Sequence, residues 1–149
     1  MAKQILIVDD DHNAVKYLSA VLSDNGYDPV SACDGSEGLA MVEQVTPDLI
    51  VLDVMMPKKS GFVLFKQLKR DERYSEIPIL MLTGVGGVLE DLEDHKDEAF
   101  EKPYDKLRES LKKKIREMRD EGLVRPDMFV DKPVDADSFA AKVQQLLGS

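Results

Sequence analysis

Leu49-Ile50-Val51-Leu52-Asp53-Val54-Met55-Met56-Pro57 constrains this chain more than any other stretch. Four apolar residues run into a single aspartate, and a proline four positions later forbids the strand from continuing. An unbroken apolar run rich in branched residues reads as a strand buried on both faces, the usual condition in a parallel sheet. A carboxylate at the carboxyl end of such a strand stands where open α/β sheets place their ligands. Taken alone, Asp53 would read as a residue that opens a loop or caps a helix. The rest of the chain changes that reading, because it repeats the pattern.

Ile5 to Val8 is a second apolar run, ending in Asp9-Asp10-Asp11, and Ala14, Val15, Leu18, Val21 and Leu22 then recur at helical spacing until Asn25-Gly26. Pro29 to Cys33 predicts a short strand and Asp34-Gly35 its turn. Leu39, Val42 and Met41 mark a helix ending near Thr46-Pro47. After the Asp53 strand, Gly61 to Lys69 carries Phe62, Phe65 and Leu68 on a third helix. Pro78 to Leu82 predicts a fourth strand, closed by Thr83-Gly84. Met128-Phe129-Val130 precedes Asp131-Lys132-Pro133, and Phe139, Val143, Leu146 and Leu147 line a last helix. Strands alternating with helices predict an α/β fold, a parallel sheet with helices on both faces joined by right-handed crossovers.

The stretch 85–125 departs from this rhythm. A crossover ordinarily takes about 10–20 residues, and this one has roughly twice that. It runs from Gly84-Val85-Gly86-Gly87 through an acidic segment, Glu90 to Glu101, into a charged helix expected over 104–121. There Tyr104, Leu107, Leu111, Ile115 and Met118 form a narrow apolar seam. The seam reads either as a partner-binding or homodimerising face or as a face packed back onto the domain. The charges around it, Lys112-Lys113-Lys114 among them, read as a solvated face. The acidic segment lacks the glycine and spacing of a calcium loop.

A length of 149 residues predicts one domain, 1–149, with a core that needs no staples. A net charge of -9 argues against nonspecific binding to nucleic acid or anionic membrane. Cys33 is the only cysteine, so no internal disulfide forms. With no signal peptide ahead of the first strand and no membrane-length apolar run, a cytoplasmic location is expected.

A parallel sheet would bring four strand ends to one edge, carrying Asp9 and Asp10, Asp53, Thr83 and Lys132. Crowded carboxylates repel one another, and a hard divalent cation keeps them ionised; magnesium suits a few carboxylates combined with waters and phosphate oxygens. A lysine and a hydroxyl beside them would complete a phosphoryl pocket. An aspartate in that setting serves as nucleophile and forms an acyl phosphate. Singly, each residue has a plainer reading: Asp11 as a helix cap, Thr83 as a strand residue, Lys132 as surface.

Ile5-Leu6-Ile7-Val8-Asp9-Asp10-Asp11, Leu52-Asp53-Val54-Met55-Met56-Pro57 with Gly61, Met81-Leu82-Thr83 and Lys132-Pro133 together resemble the receiver domain of bacterial two-component response regulators, the CheY-like family. The resemblance covers both ends of the chain and leaves out the long crossover. It implies a flavodoxin-like, doubly wound five-stranded sheet and a phosphoryl group received from a histidine kinase or phosphotransfer protein. Carried over, Asp53 is the phosphoacceptor, and Asp9, Asp10, Asp53 and the Met55 backbone carbonyl hold Mg2+. The resemblance also makes Thr83 and Lys132 the residues that contact the phosphoryl group, Phe129 the switch aromatic, and Pro133 a candidate cis-proline. Lys102-Pro103 competes with Lys132-Pro133 for the lysine role. Lys102 stands at the more usual distance from Thr83, but Asp97-Glu98-Ala99-Phe100-Glu101 before it is too polar for a central strand, whereas Met128-Phe129-Val130 is not. The expectation is therefore Lys132, with an elongated crossover between the fourth and fifth strands.

The expected role is a single-domain switch acting on a downstream protein target, with no catalysis beyond its own phosphorylation and dephosphorylation, since the last helix leaves no room for an output domain. Two rivals differ in class. A haloacid-dehalogenase-like phosphatase would place its nucleophile on the first strand as Asp-x-Asp with a nearby threonine. Here that strand gives Asp9-Asp10-Asp11-His12 without the threonine, and the isolated aspartate is on the third strand. A pseudo-receiver would keep the fold but usually lose one of the acidic residues. A P-loop is unsupported, because Gly84, Gly86 and Gly87 come without its lysine.

Overall fold

In the computed structural model the described residues are 2–53, 61–83, 113, 116–117, 129–131 and 134–148; the side chains of Phe62, Thr83, Phe129 and Asp131 are not among them. Strands β1 (Gln4–Val8), β2 (Asp28–Ala32), β3 (Leu49–Asp53), β4 (Ile79–Thr83) and β5 (Phe129–Asp131) alternate with helices α1 (His12–Asp24), α2 (Gly35–Val45), α3 (Gly61–Arg70) and, after β5, α4 (Ala136–Leu147). They form one sheet in the order β2-β1-β3-β4-β5, with every pairing parallel. The order reverses direction at β1, between β2 and β3.

The apolar runs explain why this sheet has two covered faces. Side chains alternate sides along a strand, and the core divides accordingly. Leu6 and Val8, Ile50 and Leu52, and Ile79 and Met81 pack with Val42 of α2 and Leu64, Phe65 and Leu68 of α3. Their neighbours Ile5 and Ile7, Leu49 and Val51, and Leu80 and Leu82 pack with Leu18 and Leu22 of α1 and Phe139 and Val143 of α4. A strand that must satisfy both layers has no polar position to spare until its end.

The helices begin and end on recognisable signals. Asp11, Asp34 and Asp135 are the N-caps of α1, α2 and α4, each accepting a backbone N–H of the first turn. Those bonds from the Ser138 backbone and side chain hold the Asp135 carboxyl below the usual carboxylate range. Gly26, at φ 84°, follows α1 where a left-handed residue is needed. The turn before β4 is tied by Lys69, whose Nζ donates to the carbonyls of Ser75 and Ile77 at 3.2 Å each. The Arg73 guanidinium beside Asp71, at 2.8 Å, lowers that carboxyl from its usual range.

The second strand starts one residue earlier than the Pro29 to Cys33 expectation, because Asp28 pairs with Gln4; Cys33 lies beyond the strand and is exposed. On α2 the buried positions are Gly35, Gly38 and Val42, while Leu39 and Met41 are only partly covered. Gly38 is there for closeness of approach. A Cβ at that point would lie 3.1 Å from Leu64 Cδ2 and from both Val8 methyl groups. Gly38→Val is therefore expected to destabilise the domain by about 2 kcal/mol through overpacking, read as a lowered urea midpoint. Gly38→Ala should fall nearer neutrality, because alanine regains about 1 kcal/mol of helix propensity.

Of the helix expected over 104–121, Lys113, Arg116 and Glu117 are helical and exposed. Its apolar seam, the acidic segment and Lys102-Pro103 lie outside the described residues. Among the described residues, no helix is long and apolar enough to cross a membrane.

Candidate functional site

The same alternation that fills the core builds the site. Asp9 continues the series Ile5, Ile7, and Asp53 the series Leu49, Val51, so both carboxylates fall on the sheet face that α1 and α4 cover. The β1–β3 register pairs Val8 with Leu52, which sets Asp9 and Asp53 side by side at the carboxyl edge. β1 and β3 flank the reversal of strand order, the point where doubly wound sheets open a crevice for ligands.

Asp9 and Asp53 are 1% and 3% exposed, whereas Asp10 is open to solvent. One carboxylate oxygen from each of Asp9, Asp10 and Asp53 can be chosen so that all lie within 4.8 Å of one another. Oxygens around an octahedral magnesium, at about 2.1 Å from it, stand about 3–4 Å apart. The spacing and the all-oxygen donor set therefore fit a small hard cation. Two buried carboxylates this close carry a large desolvation and repulsion cost, which a dication offsets.

The backbone around the carboxylates is held in place. Asp9 N–H donates to the Ala32 carbonyl at 3.1 Å, extending the β1–β2 ladder past the strand. Asp9 Oδ1 accepts the Asp11 N–H at 3.0 Å. Asp11 turns away to cap α1, accepting from Asn13 N at 3.0 Å. The acidic run thus splits between ligand-type residues and a helix cap, as the plainer reading of Asp11 anticipates.

The other expected site residues are located by backbone alone or not at all. Thr83 is the last residue of β4, one step beyond Leu82, the register partner of Asp53. Phe129 opens β5, and Thr83 is paired with Asp131. Met55, Lys132 and Pro133 lie outside the described residues. Sequence reasoning missed Tyr17, whose hydroxyl donates to the Val134 carbonyl at 3.1 Å across 117 positions. No local pattern carries that signal.

A parallel 2-1-3-4-5 sheet with carboxylates at the ends of β1 and β3 defines a flavodoxin-like α/β protein with an acidic, cation-fitting edge. Residues 5–116 match the response regulator receiver domain, and the chain belongs to that family. It is 42% identical over 105 residues to the DNA-binding dual master transcriptional regulator RpaA of Synechocystis, covering 68% of this chain and 44% of that protein. It is 44% identical over 102 residues to the alkaline phosphatase synthesis transcriptional regulatory protein PhoP of Bacillus subtilis, covering 68% and 37%. The chain thus spans about two fifths of the length of these curated relatives. Among solved structures, the chemotaxis protein CheY4 of Vibrio cholerae superposes with a TM-score of 0.70 at 26% identity, over 98% of this chain and 99% of that one. The receiver domain of a histidine kinase from Syntrophus aciditrophicus gives 0.70 at 28% identity, over 99% and 91%. The chain thus carries a receiver domain of the kind used in two-component phosphorelay signalling.

Proposed function

We propose that Asp53 accepts a phosphoryl group from a histidine kinase or phosphotransfer protein and that the phosphorylated domain acts on a protein partner in the cytoplasm. The observation that carries the reading is the group Asp9, Asp10 and Asp53, with two of the three carboxylates buried at one strand edge. In the transfer, an Asp53 carboxylate oxygen bonds to phosphorus as the bond from phosphorus to the donor imidazole nitrogen breaks. The released nitrogen keeps the electron pair, and Asp53 becomes an acyl phosphate. Asp9, Asp10, Asp53 and the Met55 carbonyl would hold Mg2+, which when bound neutralises charge on the phosphoryl oxygens. Thr83 donates a hydrogen bond to one of those oxygens, Lys132 pairs with another, and Phe129 carries the change along β5. The reading takes 1–149 as one receiver domain, with 85–125 as an elaboration of the connection from β4 to β5, and as a switch rather than an enzyme.

Two facts bear on which lysine pairs with the phosphoryl group. The family match takes in Lys102-Pro103 and stops short of Lys132. Against that, β5 at Phe129–Asp131 pairs with β4, and Lys132 is the residue that follows it directly. Adjacency in the sheet is what brings a side chain to the site, so it favours Lys132.

Intact mass after incubation with acetyl phosphate tests the reading. We expect one added phosphoryl group, dependent on Mg2+, prevented by chelator and lost in base. No addition under any of these conditions would move the function to a phosphate-independent interaction module.

A further inference from the structure

We propose that Tyr17 is a positioning residue for the connection between β5 and α4, and through that connection for Lys132; the inference rests on the role given to Lys132 above. Tyr17 stands on α1 and is 44% exposed, so core packing does not account for the aromatic ring. Its hydroxyl donates to the Val134 carbonyl at 3.1 Å.

The location of that carbonyl gives the bond its consequence. β5 ends at Asp131, fixed by its pairing with Thr83. Asp135 is the N-cap of α4, bonded to the Ser138 N–H at 2.9 Å. Val134 lies between them, so only residues 132 and 133 separate a paired strand end from the carbonyl that Tyr17 holds. The other end of the connection is as well anchored. α1 is capped by Asp11, directly after Asp9 and Asp10, and it packs on α4 through Leu18, Leu22, Phe139 and Val143. Tyr17 thus links the helix that follows Asp9 and Asp10 to the connection that follows β5. A long lysine side chain gains most when its backbone is already placed, because less freedom is lost on pairing.

Binding of the beryllium trifluoride anion, a tetrahedral mimic of the phosphoryl group, tests this in the full chain. Four proteins are compared: the native protein, Tyr17→Phe, Lys132→Ala and the double variant, with affinity for Mg2+ alone measured in parallel. Tyr17→Phe keeps the ring and removes only the donor. It is expected to weaken beryllium trifluoride binding between about two- and tenfold, the range that one net hydrogen bond spans, with Mg2+ affinity unchanged. In the Lys132→Ala background the same substitution should have no further effect, since coupled residues do not add. Equal losses for Mg2+ and beryllium trifluoride, or a Tyr17 effect that persists at full size without Lys132, would overturn the proposal. If Lys132→Ala weakens binding and Tyr17→Phe does not, the positioning role alone falls. If Lys132→Ala has no effect, the lysine assignment fails and the proposal fails with it.

Discussion

Asp53→Asn is expected to abolish phosphorylation by acetyl phosphate while the protein stays folded. The amide is nearly isosteric with the carboxylate, but its oxygen is a poor nucleophile and the acyl phosphate cannot form. Stability should hold, because the substitution removes one member of a crowded set of carboxylates whose mutual repulsion opposes folding. The strand itself is secured by Leu49, Ile50, Val51 and Leu52, all fully buried. Intact mass and thermal unfolding, measured together, check both halves. A variant that still takes up one phosphoryl group would place the acceptor elsewhere, and a variant that no longer folds would show Asp53 to be structural.

The second large effect separates the two lysine-proline pairs. Lys132→Ala should weaken beryllium trifluoride binding about 10–100-fold, as expected for a charge-assisted hydrogen bond of about 1.5–3 kcal/mol. It should also disconnect site occupancy from β5, so that the amides of Phe129 and Val130 exchange with solvent at the same rate with and without the anion. Lys102→Ala should change neither quantity. The reverse result would assign the site to Lys102 and leave Lys132 without a role in it.

Much of this was legible in the sequence because an unbroken apolar run buried on both faces is hard to counterfeit. Ile5-Leu6-Ile7-Val8 and Leu49-Ile50-Val51-Leu52 have to satisfy two helical layers at once, and each ends where an aspartate stops the apolar run. The triad of Asp9, Asp10 and Asp53 follows from strand order and register. What the sequence did not show depends on contacts distant along the chain. The 71–77 turn reads as polar, yet Tyr74 is buried against the α2 and α3 layer. Gly38 reads as a weak point in a helix, and only the nearness of Val8 and Leu64 gives it a purpose. Tyr17 fits the amphipathic pattern of α1 as an ordinary outward residue, and its bond to Val134 depends on how α1 lies against α4.

The order β2-β1-β3-β4-β5 also bears on how the sheet is assembled. Among the described residues β5 is an edge strand, and residues 84–128 lie between it and β4. Loop-closure entropy grows only logarithmically, so doubling a connection costs about 0.6 kcal/mol. Residues can therefore be added at this edge at little thermodynamic expense, while the acidic site, built on β1 and β3, keeps its register. Kinetics is less forgiving, because contacts of high sequence separation form late. The first four strands join through shorter closures, so β5 is the strand a nascent chain adds last.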